Sequence, residues 1–264
     1  MVFSLVRATA PLAFLVVSQV SFAAPIYDAN VSPNVIFGTG NTNGGYTVDR
    51  QNGVELGLRG KLRHNDSGAP ENTFNSNGDG TYSFDSGVAP TQSSPTAVWS
   101  FEWAVNSDYN GSSGFKLNDL TYALGIDTDP SQDVSLGQLL LGLPNSFDPI
   151  NASYADHAIG NNSTVNGGGS VATDQSDYQS LIANNNVAQQ SWKPHWFIDG
   201  FDPTVDGTYD FFLAAFDNGS QIARTDIQII VGAGGAAKVP EPGTFALLGL
   251  GLLGLGISRR RKQA

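Results

Sequence analysis

The stretch Ile222–Val231 alternates with a period of two: Ala223, Thr225, Ile227, Ile229 and Val231 fall on one side, Arg224, Asp226 and Gln228 on the other. Only an extended strand, whose successive side chains point to opposite faces, sorts such a pattern into an apolar and a polar surface. Three more stretches share the period. Val54–Arg63 puts Val54, Leu56, Leu58 and Leu62 opposite Glu55, Arg59, Lys61 and Arg63; Ala97–Val105 puts Ala97, Trp99, Phe101, Trp103 and Val105 opposite Ser100 and Glu102; Leu120–Ile126 gathers Leu120, Tyr122, Leu124 and Ile126. A fifth, Thr208–Phe216, is apolar on both faces, as a strand in the middle of a sheet should be. With 31 glycines, many Asn and Ser, and few Lys or Glu, helices find little support.

The turns agree with the strands. Asp217-Asn218-Gly219 joins the last two, and Asn-Gly is the strongest short hairpin signal. Asp206-Gly207-Thr208-Tyr209 resembles the turn of a tyrosine corner in Greek-key sandwiches. The expected fold is an all-β antiparallel sandwich over residues 24–231, immunoglobulin-like or jelly-roll-like. Long polar loops are expected at 64–80, 85–95, 106–114 and 160–170. One short helix is expected over Asp174–Ala183, capped by Asp174, with Tyr178, Leu181 and Ile182 on one side. Residues 232–238 (GAGGAAK) read as a flexible linker.

Both ends carry address labels. Residues 1–23 have the form of a secretory signal peptide: Arg7, the apolar run Leu12–Val20, and Ser21-Phe22-Ala23, with the expected cut after Ala23. At the other end, residues 239–264 begin with Val239-Pro240-Glu241-Pro242. An apolar run Thr244–Ile257 follows, closed by Arg259, Arg260, Arg261 and Lys262. As a helix that run reaches about 21 Å, short of a ~30 Å hydrocarbon core, which suits a temporary anchor whose cationic end stays in the cytoplasm. Gly249, Gly251 and Gly254 spell a dinucleotide fingerprint but lack the strand and βαβ unit that give it meaning.

The order of Pro-Glu-Pro, short apolar helix and Arg-rich end closely resembles the PEP-CTERM sorting signal of Gram-negative bacteria. The resemblance implies a single C-terminal transmembrane helix, cleavage near the motif by an exosortase-type membrane enzyme, and association with exopolysaccharide or the outer cell surface. The segments NVIFGTGNTNGGYTVDRQNGVELGLRGKLRHN, NTFNSNGDGTYSF and WSFEWAVNSDYNGSSG resemble a recurring family of PEP-CTERM proteins, and that likeness brings no activity with it.

Between the two ends, residues 24–238 hold 23 acidic residues against 8 basic ones, a net charge of −15. Such a balance repels nucleic acid, which selects a basic stripe, and leaves a surface that resists self-association and collects divalent cations. There is no cysteine, so neither disulfides nor thiolate chemistry enter.

Three constellations invite chemistry. Asn75, Asn77, Asp79 and Thr81 occupy positions 1, 3, 5 and 7 of a calcium-type loop with Gly80 at 6. Position 12, where a bidentate acid belongs, is Ser86, which favours a polar hairpin tip and leaves calcium as the one cofactor in view. Asp127, Asp129 and Asp133 form a second acidic cluster, read as a solvated turn. Trp99 and Trp103 would stack on sugar rings if exposed, although large aromatics at alternate positions form core more often. Trp192 and Trp196, flanking Lys193-Pro194-His195, can line a groove, although a packed loop is the safer reading. His64, His157 and His195 share no metal-ligand spacing, and the many carboxylates single out no glycosidase pair, so no catalytic residue is assigned.

The expected protein is therefore exported, held briefly at the inner membrane, processed by an exosortase and delivered to the cell envelope or the extracellular space. Its expected role is non-enzymatic, structural or interactive, in contact with exopolysaccharide. The alternatives are a glycan-binding module and a secreted carbohydrate-active hydrolase.

Overall fold

The structure, a computed structural model, describes residues 23–132, 150, 151, 154 and 156–235. The signal peptide up to Phe22, the acid Asp133, the sorting motif Val239–Pro242 and the basic cluster Arg259–Lys262 lie outside the described residues. Among the described residues ten strands are present in chain order: β1 (Ile26–Ala29), β2 (Tyr46–Gln51), β3 (Val54–Leu62), β4 (Thr81–Phe84), β5 (Trp99–Asn106), β6 (Thr121–Ile126), β7 (Ala158–Gly160), β8 (Val187–Trp192), β9 (Gly207–Asp217) and β10 (Ser220–Val231). A six-stranded sheet runs β1-β2-β3-β5-β8-β7 and a four-stranded sheet runs β4-β10-β9-β6. The chain is an all-β two-sheet sandwich. All five expected strands are found, but β1, β2, β7 and β8 carry too few apolar alternations to announce themselves. The expectation of a purely antiparallel arrangement is corrected at one pair: β10 runs parallel to β4, with Gln228 opposite Thr81 and Val231 opposite Phe84.

The β9–β10 hairpin is set by its turn. Asn218 and Gly219 take φ of 47° and 80°, both left-handed, as the tight turn that matches strand twist demands. The core between the sheets is built from the apolar faces read in the sequence: Leu56, Leu58, Trp99, Phe101 and Trp103 of one sheet against Tyr122, Leu124, Phe211, Leu213, Ile227 and Ile229 of the other.

The polar face of β3 is where sequence and structure part. Glu55, Arg59 and Lys61 are buried, as are Glu102 of β5 and Gln189 of β8. Residues 30–45 cross the outer face of the six-stranded sheet as a strap, and Val31, Val35, Ile36 and Phe37 make a second small core there with Tyr46, Val48, Ala104 and Val187. A strap without strand pairing must satisfy its backbone some other way once buried. The polar side chains of the sheet supply the partners. Glu55 accepts from Ser32 N at 2.6 Å, Gln189 accepts from Ile36 N at 2.8 Å and donates to Asn34 O at 2.8 Å, and Arg59 donates to Thr42 O at 3.1 Å and to Gly44 O. The 160–170 loop closes over the strap, with Gly167 N on Val35 O at 3.1 Å and Gly169 N on Ile36 O at 2.9 Å. A Cβ on Gly169 would stand 2.8 Å from that carbonyl, so only glycine permits the approach.

At the centre of this covered face, Arg59 Nε donates to Glu102 Oε2 at 2.6 Å, and Lys61 Nζ lies 3.6 Å from Glu102 Oε1 and donates to Asn41 Oδ1. The guanidinium is held between the rings of Tyr46 and Phe74, 4.1 and 3.9 Å from their centroids. Burial lowers the Lys61 ammonium below its ordinary value.

The helix α1 spans Gln175–Asn184, with the Asp174 carboxylate accepting from Asp177 N at 2.8 Å and Tyr178 and Ile182 buried. Sequence and structure coincide here because cap and apolar spacing are local. Asp174→Ala is expected to lower stability by about 1 kcal/mol, read as a shift in urea midpoint at unchanged slope.

The expected linker is corrected in part. Gly232 N donates to Phe84 O at 2.8 Å, Ala233 N to Asp206 Oδ2 at 3.0 Å, and Gly235 N to the Thr208 hydroxyl at 2.9 Å. Residues 232–235 are part of the folded body.

Candidate functional site

The residues singled out in the sequence are dispersed. Trp99 and Trp103 are 1% and 0% exposed, with their rings packed on Phe211, Tyr209, Trp192 and His157. Their reading as a sugar-stacking surface is corrected, because neither indole presents a face to solvent. Asn75, Asn77, Asp79 and Thr81 sit together at the tip before β4, but their polar atoms turn on one another. Asn77 Nδ2 donates to the Thr81 hydroxyl at 2.8 Å, and Asp79 Oδ1 accepts from Thr81 N at 3.0 Å and from its hydroxyl at 2.7 Å. Those bonds to Thr81 hold the Asp79 carboxyl below its usual range. Among the described residues, no group of three or more His, Asp or Glu could hold a metal ion. Asp127 is buried rather than in a solvated turn, and burial raises its carboxyl above the ordinary range, helped by the charge of Asp210.

A groove does lie against Trp192 and Trp196, where a packed loop is the favoured expectation. A cavity of about 470 Å³ opens beside the end of β8, where Gln190, Ser191 and Trp192 meet the strap at Phe37 and the loop at Gly169; Arg63, Asp156 and Trp196 complete it. Local structure explains why one tryptophan is sunk and the other free. Trp192 stacks among Trp103, Phe101 and Phe197, with centroids 5.3, 6.1 and 4.8 Å away. The chain then makes a single 3-10 turn, Pro194–Trp196, with Pro194 buried at its start and Phe197 anchored after it. Fixed on both sides, the turn presents Trp196 outward at 55% exposure. The Lys193 ammonium stands 5.8 Å from the Trp196 ring centroid.

The charges around this cleft differ from the rest of the molecule. Elsewhere the described cations other than the exposed Lys116 are matched: Arg50 to Glu55, Arg59 and Lys61 to Glu102, Arg224 to Asp226. Among the described residues, Arg63 and Lys193 have no carboxylate within ion-pair distance. Burial first, and then the charge of Arg63, lowers the Lys193 ammonium; burial and then Lys193 lower His195. The cleft thus combines an exposed indole, donors and acceptors at Gln190, Ser191 and Asp156, and the unmatched Arg63, with the unmatched Lys193 beside the indole. A second cavity, of about 440 Å³, lies against β10 near Ala23 and Tyr27, but its cation, Arg224, is held by Asp226 at 3.0 Å. The sequence reading named Trp192 and Trp196 but favoured a packed loop for them, and it missed Arg63, Asp156 and Gln190. These come from three separate segments, and no local signal links them.

Among the described residues no helix is long and apolar enough to cross a membrane, and the expected anchor helix lies outside them. Residues 238–262 match the family model of the PEP-CTERM protein-sorting motif. Such a motif marks a chain for export, transient anchoring in the membrane and processing by an exosortase, with delivery to the cell envelope or beyond. With Gly235 docked and the match beginning at Lys238, the motif starts within about 10 Å of chain from the folded body. The chain matches no curated protein and no solved structure.

Proposed function

We propose that the folded domain, once exported and released from its sorting tail, serves in the envelope or extracellular matrix as a non-enzymatic polysaccharide-binding protein. Its contact is the Trp196 cleft. The observation that carries this reading is the outward indole of Trp196, held by a turn anchored on both sides and flanked by hydrogen-bonding groups. An apolar ring face beside a few fixed polar groups is the surface a sugar ring needs, since the ring offers C–H bonds on its faces and hydroxyls at its rim. Binding rather than hydrolysis is favoured because glycoside cleavage uses two carboxyl groups across the scissile bond, and Asp156 is the one carboxylate among the described residues lining the cleft.

The test uses the full-length chain in mild detergent, run by affinity electrophoresis through gels containing neutral and acidic polysaccharides. Wild type is expected to be retarded. Trp196→Ala should lose at least about 2 kcal/mol of binding, roughly 30-fold in Kd, as for a central aromatic contact, while stability moves by no more than about 0.5 kcal/mol. Migration of wild type unchanged by every polysaccharide tried would end this reading.

A further inference from the structure

We propose that the cleft selects acidic sugars, with the ring seated on Trp196 and its carboxylate, or an equivalent anionic substituent, held between Arg63 and Lys193. The inference rests on the polysaccharide-binding reading of the same cleft and adds the chemical class of its ligand.

The argument starts from charge matching. In a chain with 23 acidic and 8 basic residues over 24–238, a cation has carboxylates in plenty to choose from. Arg50 and Arg224 have each taken one, and Arg59 and Lys61 share Glu102. Arg63 and Lys193 have not, and unlike the exposed Lys116 they are half-buried: Arg63 lines the cleft, and Lys193 stands 5.8 Å from the centroid of the Trp196 ring that lines it. Backbone bonds hold both in place: Arg63 N donates to Val98 O at 2.7 Å, and Trp196 N returns to Lys193 O at 3.2 Å. Two partly desolvated cations set side by side repel each other, and Arg63 contributes to lowering the Lys193 ammonium. An anion between them removes that repulsion, so the pair favours a charged ligand over a neutral one.

The overall acidity of the protein does not cancel this. At physiological salt the Debye length is about 8 Å, so distant carboxylates are screened while groups inside the cleft act at short range. Asp156 is the opposing charge on the lining and is exposed. Its oxygens can accept hydrogen bonds from sugar hydroxyls. An arginine fork fits a carboxylate in two-point geometry, and the neighbouring ammonium adds a point charge.

The experiment compares retardation of the full-length chain by polygalacturonate and by neutral dextran, at low and at physiological salt. The expected result is at least tenfold tighter binding to polygalacturonate, with the difference narrowing as salt rises. In Arg63→Gln/Lys193→Gln that tenfold preference should disappear, whereas Trp196→Ala weakens both polysaccharides together. Lys193→Gln alone, at a position on the surface turn, should remove part of the preference even if the double variant fails to fold. Equal binding of the two polymers by wild type, or a preference that survives both cation variants, overturns the acidic selectivity and leaves polysaccharide binding standing. Binding to neither polymer overturns both.

Discussion

Glu102→Gln is expected to destabilise the protein by about 3–5 kcal/mol, because it leaves Arg59 and Lys61 buried with no anion between them. The guanidinium cannot shed its charge, and its nitrogens are already turned to Glu102, Thr42 O and Gly44 O, with aromatic rings above and below. Lys61 can lose its proton, and burial already pushes it that way, which limits the penalty to the arginine. Lys61→Met should therefore cost far less, about 1 kcal/mol or under, since it leaves a one-to-one Arg59–Glu102 pair. Urea unfolding followed by tryptophan fluorescence reads both variants. A Glu102→Gln shift below about 1 kcal/mol would show that the covered face admits enough water to solvate the cations, and that the strap is not sealed.

Trp103→Ala is expected to cost about 3–5 kcal/mol, the range for deleting a large aromatic from a packed core. Its ring lies 5.3 Å from Trp192 and 5.1 Å from His157, and sheet pairing on both sides of β5 keeps the walls from collapsing into the space. Trp196→Ala is the internal comparison: the same chemical deletion at an exposed position, with stability nearly unchanged. The pair separates a core tryptophan from a contact tryptophan. Loss of polysaccharide retention by Trp103→Ala at full native stability would contradict the burial described here and restore the β5 aromatics as a binding surface.

The two tryptophan pairs show how far sequence reasoning reached. Alternation placed Trp99 and Trp103 on one face of a strand, yet a period of two names a face without saying what covers it. Burial had to come from the opposite sheet. Trp192 and Trp196 were legible only as neighbours in one loop; that a 3-10 turn anchored by Pro194 and Phe197 sinks one and frees the other came from the structure. Asp174 and the Asn218-Gly219 hairpin were legible because their causes are local. Arg63 was read only as part of a polar strand face. Its place beside Trp196 depends on β3, β5 and β8 aligning in register, which no local pattern encodes.

Amino-acid order alone determined the sorting motif, the β character, the hairpin, the capped helix and the acidic balance, most of them carried by contiguous residues. Tertiary structure decided the rest. It laid residues 30–45 across a face whose charges announced exposure, and it matched those charges to the strap's backbone and to each other. It also left two cations unmatched beside an outward indole. The physical reason is that burial and ion pairing are properties of distances between remote segments. A polar side chain reads the same in sequence whether water or a folded-over strap provides its partner.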